Sequence, residues 1–258
     1  MIEQTKQIMN ELQWYGALKV IDKRITEAST YDWGHIEFLS ALLTDEKIYR
    51  DIRKTQRRIK AAQFRTTATL ERIDFTAGRN LSKTLVRDLM SLSFLKSAQN
   101  IFIQGPTGSG KTFLATALGE YVCRSGYTCI FNGITVLMER LMMSRTDGSY
   151  LKYREKLCKC DLLIIDDLGL KKIPQEIAVD LHDILEERQE RSTIVTTQLP
   201  LKNWKEIIDD PLALDTIVDK LQNGTLNIDL QCEISMRKIS KKKNQVDTHS
   251  VPVEITKI

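Results

Sequence analysis

A glycine-rich segment, residues 105–112, has the residue types and spacing that phosphate binding requires. It reads GPTGSGKT and fills every fixed position of the pattern G-x-x-x-x-G-K-[ST]. Glycines at these positions let backbone N–H groups point at phosphate oxygens, and the start of a following helix adds partial positive charge. We expect Lys111 to reach the β- and γ-phosphates of a nucleotide and the Thr112 hydroxyl to ligate Mg²⁺. The predicted nucleotide-binding residues are Gly105, Pro106, Thr107, Gly108, Ser109, Gly110, Lys111 and Thr112.

The residues around this segment favour a phosphate loop over a chance Gly-rich turn. An apolar run, NIFIQ at 100–104, precedes the segment, and a helical pattern over 111–124 follows it. Strand, loop and helix in this order are the context in which the motif binds nucleotides. We therefore predict an ATP site, with ATP and Mg²⁺ as the cofactors.

Two adjacent carboxylates end a second apolar run, DLLIIDD at 161–167. Ligands gather at the carboxyl ends of the strands in open α/β sheets, so these acids are expected beside the phosphate loop. We expect Asp166 to hold Mg²⁺, directly or through water, and Asp167 to polarise the attacking water. An acidic turn at a strand end is the alternative, but the combination with the phosphate loop favours ATP hydrolysis.

A third apolar run, TIVTTQ at 193–198, ends in polar side chains. In P-loop ATPases that place a strand between the two motif-bearing strands, a polar residue at this point lies near the γ-phosphate. Thr197 is the candidate catalytic residue here, with Gln198 as the alternative. Polar strand ends are common, so the pattern favours this role no more than an ordinary strand end.

The order of the apolar runs predicts an α/β fold. Runs at 100–104, 128–131, 161–165, 193–197 and 225–230 alternate with helical patterns at 111–124, 134–144, 175–190 and 212–222. Such alternation gives a mostly parallel sheet covered by helices on both faces, here a three-layer α/β/α P-loop NTPase domain. The chain before it reads as helices only. We expect a small all-helical domain at 1–75, a linker at 76–97, the ATPase domain at 98–240 and a flexible polar tail at 241–258.

Composition narrows the setting in which the protein works. No apolar run approaches the roughly 18 residues that span a bilayer, and the amino-terminal segment has no signal-peptide features. The five scattered cysteines lack zinc-site spacing, so we expect reduced thiols in a cytoplasmic protein without a membrane partner. The net charge is only +4, so a nucleic-acid partner requires a local basic patch.

Such a patch lies between Lys47 and Arg65, a stretch that contains eight basic residues and one acid, Asp51. On a helix, five of the cations share one arc: Arg50, Arg53, Lys54, Arg57 and Arg58. The opposite arc is more apolar and is expected to pack against protein: Ile48, Ile52, Thr55, Ile59 and Ala62. A solvated face usually mixes acids with bases, so the pattern favours contact with DNA phosphates over a merely solvated face.

Together these motifs resemble the AAA+ ATPases of the IstB/DnaC branch, most closely the IstB-like helper ATPases of transposable elements. The resemblance is carried by GPTGSGKTFLATALG, CDLLIIDDLG and STIVTTQLPLKNW, and in the leader by FLSALLTDEKIYRDIRKTQRRIKAAQF followed by LERIDF. It runs from about residue 5 to residue 240. It implies an ATPase that assembles as a homo-oligomer on duplex DNA with ATP. Such a protein would select or remodel a target site and recruit or stimulate an IstA-like transposase.

The resemblance assigns further roles, some to residues that differ from the family's usual ones. The family usually has Asp-Glu where this chain has Asp166-Asp167, and the shorter side chain implies slow, assembly-dependent hydrolysis. Lys220 stands where the family usually has an arginine finger, and lysine lacks the planar fork that grips phosphate oxygens. Thr197-Gln198 replace a serine-asparagine pair. Arg237 keeps its expected place as a nucleotide-sensing arginine.

Two other functions use the same motifs. A replicative helicase loader of the DnaC type shares the ATPase core and would bind a helicase and single-stranded DNA. The leader favours the transposition helper over this alternative. A small-molecule kinase with a P-loop is the third class, but the sequence shows no Arg-rich lid insertion, and the segment around Trp204 has no role in a kinase.

Overall fold

The computed structural model describes residues 1–75, 80–208, 210–222 and 224–231, and the structural statements below concern these residues. The chain forms two compact units, Met1–Lys60 and Ala61–Ile258. The sequence placed this boundary later, near residue 75.

The first unit contains α1 (Ile2–Glu11), α2 (Tyr15–Thr30) and most of α3 (His35–Ala62). Its core is small: Met9, Ala17, Ile21 and Leu42 are buried, with half-buried Trp14, Leu18, Val20, Ile25 and Phe38 packed around them. Trp14, Leu18, Ile21 and Ile25 recur at helical spacing and form the core-facing side of α2.

A close approach of α2 and α3 fixes this unit at Gly16. A Cβ at this position would lie 2.5 Å from the Tyr49 Cβ and 2.9 Å from the Asp45 carbonyl oxygen, so only glycine fits. The same approach brings the buried Glu46 carboxylate to the start of α2. Its Oε2 accepts hydrogen bonds from the backbone N–H groups of Gly16 (2.7 Å) and Ala17 (3.1 Å), which the helix itself leaves without partners.

The predicted apolar arc of α3 is covered only in part: Ala62 is buried, and Thr55 and Ile59 are half-buried. Ile48 and Ile52, on the predicted apolar arc, keep 52% and 51% of their surface exposed. In the first half of α3, Ile36, Leu39 and Leu43 are likewise exposed, and Leu42 is the buried apolar residue among them. The apolar periodicity is real, but the short α1 and α2 bury α3 mainly around Leu42 and Glu46.

The second unit is built on a parallel sheet of five strands. The strands are β1 (Ile101–Gln104), β2 (Cys129–Gly133), β3 (Leu162–Leu168), β4 (Ser192–Thr197) and β5 (Leu226–Asp229), in the spatial order β2-β3-β4-β1-β5. The connecting helices are α6 (Lys111–Arg124), α7 (Ile134–Thr146), α8 (Tyr150–Lys159), α9 (Gln175–Glu187) and α10 (Pro211–Gln222). Every strand pair is parallel. The predicted α/β fold with a parallel sheet and a helical amino-terminal region is confirmed.

Alternation along the strands separates the two faces of the sheet. Leu163, Ile165 and Val195 face a core shared with α7, α8, α9 and α10, in which Trp204 is fully buried. The intervening residues face α6, where Gly119 lets the helix approach the Ile164 side chain closely. Because α6 starts at the phosphate loop, residues on the Ile164 side of the sheet are the ones that can reach that loop.

The predicted linker contains regular structure that belongs to the second unit. Residues 83–96 form α4 (Lys83–Met90) and α5 (Ser93–Lys96). Ser82 caps α4, since its hydroxyl accepts a hydrogen bond from the Leu85 N–H at 3.0 Å. Val86, Leu89 and Phe94 are buried, so this segment is a packed part of the second unit and not an extended linker.

No helix in the described part of the chain is long and apolar enough to cross a membrane. The predicted tail at 241–258 lies outside the described residues.

Candidate functional site

The phosphate loop joins β1 to α6 and is held in shape by its own backbone and by β5. Gly105 has a φ of 153°, and a Cβ there would lie 2.2 Å from the Leu230 carbonyl oxygen, so no other residue fits. Gly110, at the start of α6, has a φ of 96°, a conformation that residues with a Cβ rarely adopt. The loop therefore leads directly into the amino terminus of a 14-residue helix, which favours anions.

The ammonium of Lys111 lies inside this loop. Its Nζ donates hydrogen bonds to the carbonyl oxygens of Gly105 (2.9 Å) and Pro106 (3.0 Å), and only 4% of the residue is exposed. The Ser109 hydroxyl is also buried in the loop, without a hydrogen-bond partner among the described residues. A buried cation and a buried hydroxyl of this kind fit the oxygen atoms of a phosphate group.

Asp166 is joined to the start of α6 by hydrogen bonds. The Thr112 hydroxyl lies 3.0 Å and 3.1 Å from the two carboxylate oxygens of Asp166, which is fully buried. Asp166 lies on the same side of β3 as Ile164, so strand alternation directs it at α6. The two residues predicted to bind Mg²⁺ are therefore adjacent, and both supply oxygen atoms, the ligands that Mg²⁺ prefers.

Thr196, on β4, holds the same carboxylate, and the sequence analysis missed it. Its hydroxyl donates to Asp166 Oδ1 at 2.6 Å and accepts from the Asp167 backbone N–H at 2.9 Å. One side chain thus fixes both members of the acidic pair. The signal was present in the strand: Ile194 and Thr196 alternate with the residues that face the opposite core.

A β-bulge sets the position of Asp167. Ile165 pairs with Val195 and Leu168 with Thr197, so Asp166 and Asp167 together oppose the single residue Thr196. The bulged Asp167 has a φ of 59°, in the left-handed region that aspartate tolerates better than most residues. Its backbone N–H loses a ladder partner and takes the Thr196 hydroxyl instead.

The two polar residues at the end of β4 occupy different places. The fully buried Thr197 donates its hydroxyl to the Leu168 carbonyl oxygen at 2.6 Å and accepts from the Leu199 N–H at 3.1 Å. It therefore fixes the turn beyond the strand. Gln198, the alternative for the γ-phosphate position, reaches the phosphate loop, where its Oε1 accepts a hydrogen bond from the Thr107 hydroxyl at 2.6 Å.

Lys220 is not brought to the phosphate loop within one chain. Its Nζ forms an ion pair with Glu186 at 2.5 Å, and its carbonyl oxygen accepts from the Asn100 side chain at 3.1 Å. Asn100 precedes β1, whereas the phosphate loop follows it. Lys220 therefore lies at the amino-terminal ends of the strands, and the phosphate loop lies at their carboxyl ends. Arg237, the predicted nucleotide-sensing residue, lies outside the described residues.

The surroundings of Asp166 act on its pKa in both directions. Burial raises the pKa, and the charge of Asp167 adds to the rise. Hydrogen bonds from Thr196 and Thr112 and the charge of Arg65 act against it, but the net shift is upward. A cation bound beside this carboxylate would favour its charged form.

Four of the five predicted DNA-binding cations line one open groove of the first unit. These four do so together with Tyr15 and Tyr49: Arg50, Arg53, Lys54 and Arg57. The fifth, Arg58, is half-buried. The Arg53 guanidinium lies over the Tyr49 ring, 5.7 Å from its centroid.

The five cations are engaged to different degrees. Arg50 forms an ion pair with Glu46, its Nε lying 2.6 Å from Oε1, so part of its charge is committed to the fold. Lys54 lies 3.8 Å from the exposed Asp51, a contact of little energetic weight. Arg57 and Arg58 have no ion-pair partner in the described part of the chain.

Known proteins are similar to this chain in sequence and in fold. The sequence profile of the IstB-like ATP binding protein family matches residues 7–244. An insertion sequence ATP-binding protein of Sinorhizobium fredii is 34% identical over 237 residues, covering 92% of this chain and 96% of its own length.

Solved structures show the same fold at lower identity. The replication initiator DnaA, bound to AMPPCP and single-stranded DNA, is similar with a TM-score of 0.57 and 19% identity. That match covers 75% of this chain but only 59% of the DnaA chain. A DnaC helicase loader is similar with a TM-score of 0.52 and 20% identity, over 63% of this chain and 96% of the loader.

The family match confirms the resemblance inferred from the motifs, and with it the prediction of an ATP-binding AAA+ ATPase. A phosphate loop, a buried acidic strand end and a helical leader agree with that class in this structure. The chain belongs to the IstB-like ATP-binding protein family of insertion sequences.

Proposed function

We propose that the protein is an ATP-dependent, DNA-binding regulator of transposition. It assembles as a homo-oligomer on duplex DNA, selects or remodels the target site, and recruits or stimulates an IstA-like transposase. The observation that carries the proposal is the family match over residues 7–244, which includes both the phosphate loop and the basic groove of α3. The relative from Sinorhizobium fredii is itself named for an insertion sequence.

ATP binds with its phosphates at the loop, where Lys111 and the first turn of α6 supply positive charge. Thr112 and Asp166 hold Mg²⁺, and their adjacent oxygen atoms are the observation that supports this assignment. The ion, when bound, neutralises charge on the phosphate oxygens. Asp167 polarises the attacking water. Its side chain is one methylene shorter than the glutamate usual in the family, so we expect slow turnover.

Assembly supplies the remaining charge at the phosphates. Lys220 lies at the amino-terminal ends of the strands, opposite to the phosphate loop of its own chain. It can therefore act as the counterpart of an arginine finger only at the phosphate loop of a neighbouring subunit. Its ion pair with Glu186 must then open or be shared. Arg237 is the nucleotide-sensing arginine of the proposed site.

DNA lies along the groove of the first unit, in contact with Arg50, Arg53, Lys54, Arg57 and Arg58. Contacts of this kind are made to phosphates, so binding is salt-dependent and largely blind to sequence. The two tyrosines that line the groove place an aromatic surface beside the cations.

The charge of the groove gives the decisive experiment. Reversal of Arg53 and Arg57 to Glu should weaken duplex DNA binding by at least 100-fold in the presence of ATP and Mg²⁺, because two attractive phosphate contacts become repulsive. Fluorescence anisotropy with a labelled duplex measures this, and a salt titration should show a shallower dependence for the variant. ATP affinity of the monomer should not change.

The matched control reverses Lys23 and Lys96, two exposed lysines outside α3 that give the same change of net charge. Equal loss in both variants would mean that overall charge, not the groove, binds DNA. Unchanged binding in the groove variant would overturn the proposal. So would brisk ATP hydrolysis by a monomer without DNA.

The helicase-loader alternative shares the fold, as the DnaC likeness shows, but an identity of 20% carries no function. A preference for single-stranded over duplex DNA in the same assay would favour it. We place the protein in the cytoplasm, because Cys129, Cys158 and Cys160 are buried thiols without a disulfide bond to any residue that the structure describes.

A further inference from the structure

The three residues that follow the last turn of α3 are fixed on the ATPase unit. Gln63 has a φ of 60°, a left-handed conformation that ends the helix, and its Oε1 accepts a hydrogen bond from Arg140 at 2.5 Å. The Phe64 ring meets the Phe131 ring edge to face at 6.1 Å. The same ring lies over α6, where a Cβ on Gly119 would be 2.8 Å from it.

The third of these residues, Arg65, reaches the carboxyl end of the sheet. A Cβ built on Gly133, the last residue of β2, would lie 2.1 Å from a terminal nitrogen of the Arg65 guanidinium. Gly133 pairs in register with Asp166. Because neighbouring strands lie about 4.8 Å apart, the guanidinium is roughly one strand spacing from the backbone of the residue predicted to bind Mg²⁺.

The charge of Arg65 is available to a ligand. The residue is exposed, and it makes no ion pair with any residue that the structure describes. The link to the phosphate loop runs through Asp166, which lies one strand from Gly133 and whose carboxylate accepts a hydrogen bond from Thr112 in the first turn of α6. An exposed arginine in this position is suited to bind phosphate oxygens with its planar fork.

We propose that Arg65 is a phosphate-sensing residue, whose guanidinium contacts the terminal phosphate of ATP bound at the loop. The contact distinguishes ATP from ADP, because ADP lacks that phosphate. It rests on the proposed ATP site. It also gives residues 63–65 a role: they hold the sensing group in place immediately after the helix that carries the basic groove.

The first test compares two nucleotides in one variant. Arg65→Gln should weaken the binding of a non-hydrolysable ATP analogue with Mg²⁺ by about tenfold, the loss expected for one charge-assisted contact, and leave ADP affinity within about twofold. Arg65→Lys should recover part of the loss, since it keeps the charge but not the fork. Isothermal titration calorimetry on the full chain measures both affinities. Arg72→Gln, an exposed arginine of the same unit, is the control and should change neither.

A second variant displaces the guanidinium without removing it. Gly133 has a φ of −71°, which alanine adopts freely, so Gly133→Ala should fold and push the flexible end of Arg65 aside. Gly133→Ala alone should weaken the binding of the ATP analogue but not of ADP. In the Arg65→Gln background it should cause no further loss of affinity.

The outcomes separate the inference from the function on which it rests. An unchanged ratio of ATP-analogue to ADP affinity in Arg65→Gln, or an equal loss for both nucleotides, overturns the sensing role alone. If the wild-type protein binds neither nucleotide, the proposed ATP site and the sensing role fall together.

Discussion

The phosphate site and the basic groove hold their polar side chains in opposite ways. At the phosphate site, Asp166 takes hydrogen bonds from Thr112 and Thr196, and Lys111 is bonded to two carbonyl oxygens of its own loop. In the groove, Arg53 lies on an aromatic ring, and Arg57 has no ion-pair partner among the described residues. One region is buried and mutually fixed, whereas the other is open to solvent.

The difference fits what each region is proposed to bind. A phosphate group in a pocket is stabilised by groups that are already oriented, since reorienting them during binding costs free energy. A DNA backbone presents many equivalent charges, and flexible cations that release counterions bind it without fixed geometry. Substitutions should therefore have sharp, residue-specific effects at the phosphate site and graded, salt-dependent effects in the groove.

The largest effect on binding should come from a substitution of Lys111, and it should affect ATP binding but not DNA binding. Lys111→Ala removes the cation from the phosphate loop, and we expect ATP affinity to fall by roughly 100-fold, about 3 kcal/mol, as for other charged hydrogen bonds. Binding of DNA without nucleotide should be unchanged, because the groove lies in the other unit. Calorimetry with ATP and anisotropy with labelled duplex make the two measurements. Lys96→Ala is the control, and a matching loss of nucleotide-free DNA binding would show that the regions are not independent.

The sequence predicted which residues gather at the phosphate loop better than it predicted the residues that hold them in place. Glycine spacing and the acidic strand end identify Lys111, Thr112 and Asp166, because these residue types are required by the chemistry. Thr196 was missed because a threonine within an apolar strand looks like any β-branched residue. Side chains alternate along a strand, so Thr196 lies on the same face of β4 as Ile194, the face toward α6, whereas Thr197 lies on the opposite face. This alternation would have selected Thr196 over Thr197.

Two other features were beyond local pattern. The bulge at Asp166-Asp167 arises from the register of β3 against β4, and no residue type in β3 predicts it. The exposed arc of α3 is a similar case, since periodicity at Ile48 and Ile52 defines a face but not what covers it. In the same way, the position of Arg65 over Gly133 depends on where β2 ends, which the leader sequence does not encode by itself.

Adjacent threonines on β4 test how far the fixed geometry of the phosphate site matters. Thr196→Val removes a bond to Asp166 and the partner of the Asp167 N–H, so we expect ATP turnover to fall by about tenfold with little change in ATP affinity. Thr197→Val instead breaks the bond to the Leu168 carbonyl oxygen and should lower stability by about 1–2 kcal/mol. Its turnover per folded molecule should be normal. Steady-state hydrolysis with DNA and urea unfolding distinguish the pair, and equal turnover in both variants would contradict the role given to Thr196.

The smallest effect concerns the support of the groove and appears as a dependence on pH. Burial tends to raise the pKa of Glu46, but hydrogen bonds from Arg50 and from the N–H groups of Ala17 and Gly16 outweigh it, so the pKa lies below its ordinary value of 4.5. A carboxyl whose pKa is lowered by folding stabilises the folded state fully above its unfolded pKa and loses that contribution as the pH falls through the lowered value. The stability that Glu46 gives to the first unit should therefore be complete above about pH 4.5 and decline below it.

Glu46→Gln keeps an oxygen that can accept from the start of α2 but has no charge to titrate. We expect the urea midpoint of the wild type to exceed that of Glu46→Gln above pH 4.5 and the difference to shrink as the pH falls. The amide resonances of Gly16 and Ala17 should shift with pH in the wild type, with a midpoint below 4.5, and not in the variant. A constant difference in midpoint across this range would mean that Glu46 supports the unit through shape rather than charge.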